Sequence, residues 1–249
     1  MLSSFISATI VTYNNPNIAK NACQSVLEHT KRYPLKFYVI DNASSNGAEQ
    51  VLGSIDGVNF SKMQKNIGFG AAHNKVLEKE TGKYHFVINP DIIIDSDVLS
   101  DMADFMDQNP DIVMCMPKIL NADGTEQKLP KEKPTFKTLF FGRLSQKIRN
   151  QYIWADREIN KVTDVNFCTG CFFCIRSDIF KTLGGFDERF FMYLEDADLT
   201  SRAKKYGRVV MNPDILVTHI WERESAKKIK YLLIHILSAI KFLLKSEGK

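Results

Sequence analysis

The stretch "KYHFVINPD", residues 83–91, joins a run of β-branched and aromatic residues to an Asn-Pro-Asp turn. It predicts a buried strand that ends at Asp91, where the chain meets solvent. Two similar strands precede it, "FISATIVTY" at residues 5–13 and "KFYVIDNAS" at residues 36–44, and the second ends at Asp41. Asp91 itself is compatible with two structures, an ordinary turn and a metal site.

Helical patterns fill the intervals between these strands. "NPNIAKNACQSVLEHT" (15–30) has Pro16 near its start, "GFGAAHNKVLEKETG" (68–82) closes at a glycine, and "SDVLSDMADFMDQNP" (96–110) has Ser96 as its predicted cap. Strands and helices therefore alternate, which predicts an α/β protein with a mainly parallel sheet and helices on both faces. Ligands bind such sheets beyond the carboxyl ends of the strands, where Thr12, Asp41 and Asp91 fall.

Length and composition are those of an ordinary globular protein. The chain has 249 residues, 44% of them hydrophobic and 25% charged, enough for a substantial core. We divide it into a domain at residues 1–222 and a C-terminal helix at 223–249. The net charge of +4 is too small to indicate nucleic acid, so we expect no such partner. No signal peptide pattern opens the sequence, and we expect a cytoplasmic protein.

Three of the five cysteines lie in "CTGCFFC", residues 168–174, at a spacing that also begins iron-sulfur sites. The surrounding "VNFCTGCFFCIR" predicts a strand, whose alternation sends Cys171 to the face opposite Cys168 and Cys174. Three thiolates then do not converge on one cluster. We expect these cysteines to be reduced and to fill the core as small apolar residues.

Residues 118–150 break the alternation of strands and helices. The segment is first rich in turn formers and then mixes aromatic with basic residues. Long segments of this kind are either functional or disordered. We therefore predict a lid or an acceptor-binding loop, with a merely disordered insertion as the alternative.

Acidic residues cluster again in "YLEDADL", where Glu195, Asp196 and Asp198 begin a predicted helix. Such residues commonly only interact with the helix dipole. Together with Asp41 and Asp91, however, they provide carboxylates that one rim of a sheet can gather. A divalent metal that holds a diphosphate, with one carboxylate left as a base, uses such an arrangement.

Six motifs in unbroken order resemble the signatures of family 2 glycosyltransferases, in particular the bacterial rhamnosyltransferase-like branch. They are "IVTYNN" (10–15), "VIDNASSNG" (39–47), "NIGFGAAHN" (66–74), "VINPD" (87–91), "TGCFFCIRSDIFKTLGGFDERFFMYLEDADL" (169–199) and "VTHIW" (217–221). The resemblance implies the GT-A fold, a Rossmann-like α/β architecture, for residues 5 to about 221. It also implies transfer of a sugar from a nucleotide-sugar donor.

The resemblance implies a donor site at the first four motifs. The base and ribose would be held by Thr12, Tyr13, Asn14, Asp41 and Asn42. The rest of the pocket would come from Asn66, Gly68, Gly70, Asn74 and Asn89. Read alone, Gly68 and Gly70 suggest a dinucleotide fingerprint, but His73 replaces its third glycine and no strand immediately precedes it. An oxidoreductase is therefore disfavoured.

"NPD" occupies the position of the D-x-D motif, which implies that Asp91 binds Mg or Mn on the donor diphosphate. Asn89 replaces the first acidic residue, and an amide is a weaker, neutral ligand. His219 matches a position that completes the metal site in some relatives. A packed histidine without metal is the alternative for His219.

Asp196 matches the catalytic base of an inverting transfer to an acceptor hydroxyl. Contacts with the acceptor or the donor sugar would come from Thr169, Gly170, Glu195, Asp198 and Trp221. The branch suggests dTDP-rhamnose as the donor, ahead of UDP-sugars, and a glycan or polyprenol-linked acceptor in bacterial surface polysaccharide synthesis. The rival hypothesis is a catalytically silent nucleotide-sugar-binding or scaffold protein of the same fold.

The last segment has the pattern of an amphipathic basic helix. One stripe contains Ile229, Leu232, Leu233, Ile236, Ile240, Leu243 and Leu244, and lysines at 227, 228, 230, 241 and 245 interrupt or flank it. Two readings remain open. The helix packs on its own domain or on a homodimer partner, or it lies on the inner face of the cell membrane as an interfacial helix.

Overall fold

The computed structural model describes residues 5–142, 144–220 and 229–247, with side chains as far as residue 245. Nine strands lie in these ranges: β1 Ile6–Thr12, β2 Leu35–Asp41, β3 Val58–Lys62, β4 Tyr84–Ile88, β5 Ile92–Ile93, β6 Ile112–Leu120, β7 Thr163–Asp164, β8 Phe172–Arg176 and β9 Arg208–His219. The helices are α1 Pro16–His29, α2 Ala48–Leu52, α3 Phe69–His73, α4 Val98–Gln108, α5 Gln146–Ile153, α6 Ser177–Thr182, α7 Glu195–Ala203 and α8 Ile229–Glu247.

The strands form one mixed sheet in the order β3-β2-β1-β4-β8-β6-β9-β5, and β7 pairs with β9. The pairs among β1 to β4 are parallel, as predicted, and so is β6 with β9. β8 runs antiparallel to both of its neighbours, because it starts at Phe172 beside Ile88, where β4 ends. This reversal brings the entry of β8 next to the exit of β4.

The core lies on both faces of the sheet. Every residue of β1 and β4 is buried. In a sheet with one face in solvent, buried and exposed residues would alternate along each strand. Helices α1, α4, α6 and α7 contact the strands. The five cysteines are free and buried within this core, which agrees with their predicted role as small apolar residues. Of the predicted strand around them, only Phe172–Arg176 is extended.

Two predicted helix boundaries are wrong. Residues 68–82 do not form one helix: α3 ends at His73, a single 3-10 turn follows, and turns continue to the start of β4. The helix stops where the side chain of Asn74 bonds to a different segment. The cap of α4 is Asp97 instead of Ser96, and Asp97 accepts main-chain hydrogen bonds from Lys31 and Arg32.

The segment at 118–150 is ordered over its described residues. It starts in β6, makes a tight turn in which Gly124 has φ +81°, and returns so that the Gln127 amide donates to the Ile119 carbonyl at 2.8 Å. A π-helical turn at Lys137–Phe141 and helix α5 follow. The described residues of 118–150 therefore form a structured element beside the sheet, which we call the wall segment.

Helix α8 packs on the domain through one side only. Ala239 and Phe242 join the apolar cluster of Phe190 and Leu194, and Ser238 Oγ donates to the Met192 carbonyl at 2.8 Å. The predicted apolar stripe faces mainly away, with Leu233 56% exposed. The basic residues of α8 do not all face solvent as free charges, since Lys245 pairs with Asp187 at 2.7 Å.

No helix in the described residues combines the length and the apolar character needed to cross a bilayer. Trp221, Lys227 and Lys228, all named in the sequence predictions, lie outside the described residues.

Candidate active site

Three strand termini meet at one edge of the sheet. The Asn89 amide, just after β4, donates to the Cys171 carbonyl at 2.8 Å, at the entry of β8. The Ile220 amide, just after β9, donates to the Asp91 carbonyl at 2.8 Å. These main-chain bonds bring the "NPD" turn, the "TGC" turn and the end of β9 together.

Asp91 and His219 form the centre of a candidate cation site at this edge. Nε2 of His219 lies 3.1 Å from Oδ1 of Asp91, and His219 is buried while Asp91 is partly exposed. Asp91 Oδ1 makes no hydrogen bond to the described residues. An imidazole nitrogen and a carboxylate oxygen are ligands of Mn²⁺ or Mg²⁺, so the two predicted metal residues fit a divalent ion. Asn89 also lines the adjoining cavity.

A hydrogen-bond chain orients the ring of His219. Gln127, which is buried, donates from Nε2 to Asn121 Oδ1 at 3.2 Å, and its Oε1 therefore faces His219. Nδ1 of His219 lies 2.7 Å from that oxygen. Because a carboxamide oxygen only accepts, Nδ1 of His219 donates to Gln127, and Nε2 is the ring nitrogen that faces Asp91.

Asp196 lies in the first turn of α7 and borders the same cavity. Its Oδ2 accepts a hydrogen bond from the Gly170 amide at 2.8 Å, and its Oδ1 accepts one from the Ala197 amide at 2.9 Å. Burial raises the pKa of this carboxyl above its ordinary value, while these N–H donors act in the opposite direction. A carboxylate with a raised pKa and a defined orientation is suited to accept a proton. A Cβ at position 170 would lie 3.3 Å from Asp196, so glycine permits this close approach.

Glu195 lies beside Asp196 and is only 5% exposed. Its Oε2 has no hydrogen-bond partner among the described residues. Burial, followed by the charge of Asp196, raises the pKa of Glu195 well above its ordinary value. Two residues just before α7, Tyr193 and Leu194, have positive φ angles of 72° and 67°. The backbone is thus strained where it delivers the two carboxyl groups, as is common at active sites.

A cavity of about 540 Å³ opens in front of these groups. Its walls come from the "NPD" and "TGC" turns, the start of α7, the wall segment before and within α5, and α8. The lining residues include Phe69, Asn89, Leu129, Leu139, Arg149, Tyr152, Thr169, Gly170, Cys171, Glu195, Asp196, His219 and His235. The cavity is large enough for a sugar unit of a substrate and is mostly apolar away from the carboxyl groups.

The predicted donor residues on β1 and β2 form a second group at the same edge of the sheet. Asp41 is fully buried, and its Oδ1 accepts hydrogen bonds from the amide and hydroxyl of Ser44. Asp41 Oδ2 and Thr12 Oγ1 have no partners among the described residues. Asn14 accepts from the Ser45 amide through Oδ1 at 3.0 Å. Tyr13 is exposed. These two buried, unpaired oxygens can accept hydrogen bonds from hydroxyl or N–H groups of a nucleoside.

The "NIGFGAAHN" residues are engaged mainly with the protein itself. Asn42 Nδ2 donates to Asn66 Oδ1 at 3.0 Å and to the Gly68 carbonyl at 3.1 Å. A Cβ at Gly68 would lie 2.3 Å from the Phe191 carbonyl oxygen, and one at Gly70 would lie 2.7 Å from Cβ of Phe186. These glycines are required by close packing on the segment that precedes α7.

Two predicted site residues have contacts that favour structural roles. Asn74 donates to the Phe186 carbonyl at 2.8 Å and to Glu188 at 3.1 Å, and it accepts from the Phe186 amide at 2.8 Å. Asp198 binds Nε of Arg202 at 2.8 Å through one oxygen and Nζ of Lys245 at 2.5 Å through the other. Neither residue borders the cavity. Trp221 lies outside the described residues.

Sequence reasoning missed several residues that line or support the site. Gln127 lies after a turn whose Asp-Gly pair predicts a hairpin, but no motif indicates that it reaches His219. Tyr152 and His235 come from segments that the family motifs do not include. Only tertiary contacts bring them to the cavity.

Comparison with known proteins identifies the family of the chain. The model of the Glycosyl transferase family 2 matches residues 7–184. The N-acetylglucosaminyl-diphospho-decaprenol L-rhamnosyltransferase of Mycobacterium tuberculosis is 25% identical over 226 residues, which cover 83% of this chain and 72% of that protein. Rhamnosyltransferase WbbL of Escherichia coli K12 is 26% identical over 211 residues, which cover 80% and 76%.

Solved structures share the GT-A fold. GalNAc-T7 with UDP, GalNAc and Mn²⁺ superposes with a TM-score of 0.66 at 16% identity, over 88% of this chain and 44% of that one. The mannosyltransferase PcManGT of Pyrobaculum calidifontis, with GDP-Man and Mn²⁺, gives 0.63 at 15% identity, over 95% and 64%. S. aureus TarS with UDP gives 0.65 at 17%, over 94% and 65%. The chain spans less than two thirds of each of these solved chains.

The ordered motifs, the fold and the match over residues 7–184 agree on one assignment. This chain belongs to glycosyl transferase family 2.

Proposed function

We propose that the protein is an inverting, metal-dependent glycosyltransferase that transfers a sugar from a nucleotide-diphosphate donor to a hydroxyl of a lipid-linked glycan. The observation that carries the proposal is the placement of Asp196 on the wall of a cavity that His219 also borders. A proton acceptor and a candidate metal ligand thus border one space.

Asp196 acts as the general base in this proposal. Its carboxylate takes the proton of the acceptor hydroxyl while that oxygen bonds to the anomeric carbon and the bond from this carbon to the diphosphate oxygen breaks. The electron pair leaves with the nucleoside diphosphate, and one displacement inverts the anomeric centre. The Gly170 amide holds the carboxylate in its orientation.

Asp91 and His219, together with Asn89, would hold Mn²⁺ or Mg²⁺. Such an ion offsets the negative charge on a leaving diphosphate when it is bound. The solved relatives GalNAc-T7 and PcManGT contain Mn²⁺, which supports the assignment of the ion. The donor is proposed to be dTDP-rhamnose, with UDP-sugars next, because two relatives are named rhamnosyltransferases.

The acceptor is proposed to be a polyprenol-linked glycan at the cytoplasmic surface of a membrane. One relative carries a diphospho-decaprenol acceptor in its name. Helix α8 supports this location, because Ile229, Leu233, Leu237 and Leu244 are exposed while Phe242 packs inward. An apolar face beside a cavity suits the interfacial region of a bilayer.

The experiment is a donor screen with a polyprenyl-diphosphate N-acetylglucosamine acceptor, scored by acceptor-dependent release of nucleoside diphosphate. We expect release with one donor in the presence of Mn²⁺ and loss of release after EDTA treatment. The Asp196→Asn variant is the matched control for hydrolysis that does not involve the proposed base. If a donor binds but no donor gives acceptor-dependent release, the result would favour the rival hypothesis of a catalytically silent nucleotide-sugar-binding protein.

A further inference from the structure

Residues 133–142 and 144–149 of the wall segment present a basic surface. Lys133, Lys137, Lys147 and Arg149 are all exposed. None of them forms an ion pair with a carboxylate in the part of the chain that the structure describes, although many other surface cations do. Unpaired cations on one short segment are available to an anionic partner.

The acidic neighbour of this segment does not neutralise it. Glu132 is the one acidic residue in the sequence from 131 to 149. Its two carboxylate oxygens accept hydrogen bonds from Trp154 Nε1 at 2.7 Å and Asn166 Nδ2 at 2.9 Å. Glu132 therefore joins the end of α5 to the chain before β8, and its single negative charge is outnumbered by the four cations.

Large apolar side chains lie among these cations and point outward. Leu144 is 83% exposed, Phe136 58% and Phe141 47%. Phe136 stacks on Phe140, with ring centroids 4.7 Å apart. The exposure of three such residues within nine positions makes an apolar patch, and contiguous apolar patches mark sites of contact with a partner or a membrane.

The segment is anchored from its inner side, so this surface is preformed. Leu139 and Phe140 pack against the apolar cluster that contains Ala239 and Phe242 of α8. Thr138 and Thr135 exchange hydrogen bonds that close the turn at its start. The outer residues are thus displayed by a structured element.

The position of the segment relative to α8 identifies the partner. Leu139 of the segment and His235 of α8 both border the cavity, so the two elements meet at the same space. Each displays large apolar side chains outward. Aromatic and aliphatic residues that insert among acyl chains, next to lysines that attract anionic headgroups, are typical of interfacial membrane binding.

We propose that residues 133–149 form a second membrane-contact surface that binds an anionic phospholipid bilayer together with the exposed face of α8. The two contacts turn the mouth of the cavity toward the bilayer. Where the proposed lipid-linked acceptor is correct, a polyprenol chain can stay in the membrane while its sugar enters the cavity. Binding of the surface to lipid itself is independent of the transfer reaction.

The charge part of the proposal is tested with the triple variant K133Q/K137Q/K147Q, none of whose residues borders the cavity. The probe is vesicles of phosphatidylcholine with or without phosphatidylglycerol, and the readout is the partition coefficient from co-sedimentation. Each near-surface lysine contributes about fivefold at low salt, so we expect a loss on the order of a hundredfold on anionic vesicles. The matched control K20Q/K79Q/K205Q removes three exposed lysines from other regions and should bind like the wild type.

The apolar part is tested with F136S/F141S/L144S, and Tyr206→Ser serves as the control for loss of an exposed aromatic residue. We expect weaker binding to anionic vesicles for the triple variant, with an unchanged melting temperature. Unchanged vesicle binding by both triple variants would overturn the proposal. Dissociation of a dimer by the apolar variant in size-exclusion chromatography with light scattering, without a change in vesicle binding, would also overturn it and identify a second copy of the chain as the partner.

Turnover on a short water-soluble acceptor separates this proposal from the proposed function. The lysine variant should retain that turnover whatever it does to vesicle binding. A protein that binds vesicles through 133–149 but transfers no sugar would contradict the proposed function alone.

Discussion

The carboxamide oxygen of Gln127 lies 2.7 Å from Nδ1 of His219, on the side of the ring opposite Asp91. Gln127 is itself held by Asn121, which also donates to Thr125 Oγ1 at 3.0 Å. The turn after β6 therefore orients the ring of a residue at the end of β9. A hydrogen-bond partner on the ring nitrogen that does not face the metal usually changes the affinity of a histidine for metal.

The first prediction is that Gln127→Leu weakens Mn²⁺ binding by about tenfold to a hundredfold, because His219 loses the acceptor that orients its ring with Nε2 toward Asp91. Isothermal titration of Mn²⁺ in the presence of a nucleoside diphosphate measures this. Gln127→Glu keeps an acceptor in place and should bind at least as tightly as the wild type. Asp91→Ala should abolish metal-dependent binding; equal affinity in all three variants would show that the ion binds elsewhere.

The second prediction concerns Asp196→Asn, which should lower transfer by a factor on the order of a hundred or more while donor binding persists. The amide has nearly the same shape but does not accept the acceptor proton. Steady-state kinetics and donor titration provide the two measurements. Asp198→Asn is the matched control: its carboxylate pairs with Arg202 and Lys245, so we expect a lower melting temperature and near-normal turnover. Near-normal turnover by Asp196→Asn would remove Asp196 from the role of base.

The third prediction is that Glu195→Gln stabilises the protein at neutral and alkaline pH. The pKa of Glu195 is raised in the folded state, so the native protein holds this proton more tightly than the unfolded chain. Stability from this group is fully present below the ordinary pKa of 4.5 and is lost as the pH rises toward the folded value. Gln removes the ionisation, and the gain in free energy of unfolding should vanish in acid. A gain that is equal at all pH values would argue against a raised pKa.

The fourth prediction separates the two faces of α8. Phe242 is 3% exposed, so Phe242→Ala should lower the free energy of unfolding by about 3 kcal/mol through loss of packing. Leu233→Asp, on the exposed face, should leave the melting temperature nearly unchanged and reduce binding to anionic vesicles. Thermal denaturation and vesicle co-sedimentation measure both variants. A large fall in melting temperature for Leu233→Asp would show that this face is covered by protein.

Local sequence accounts for much of the framework. The strands that end at Thr12 and Asp41, helix α1 and the acidic start of α7 all follow from short apolar periodicities and turn formers. Such signals depend on neighbours in the chain, and they remain visible without a structure. The prediction of one helix over 68–82 is wrong, because the hydrogen bond from Asn74 to the Phe186 carbonyl overrides helical propensity there.

The ordered motifs indicated the family by resemblance, and that resemblance nominated Asp91, Asp196 and His219 for the site. Tertiary structure alone decided that Gln127 orients His219, that Glu195 is buried beside Asp196, and that α8 turns Leu233 outward. These facts depend on contacts between segments far apart in the chain. Hydrogen-bond direction, desolvation and the choice of a packed face are set by those contacts, and no local pattern of residues contains them.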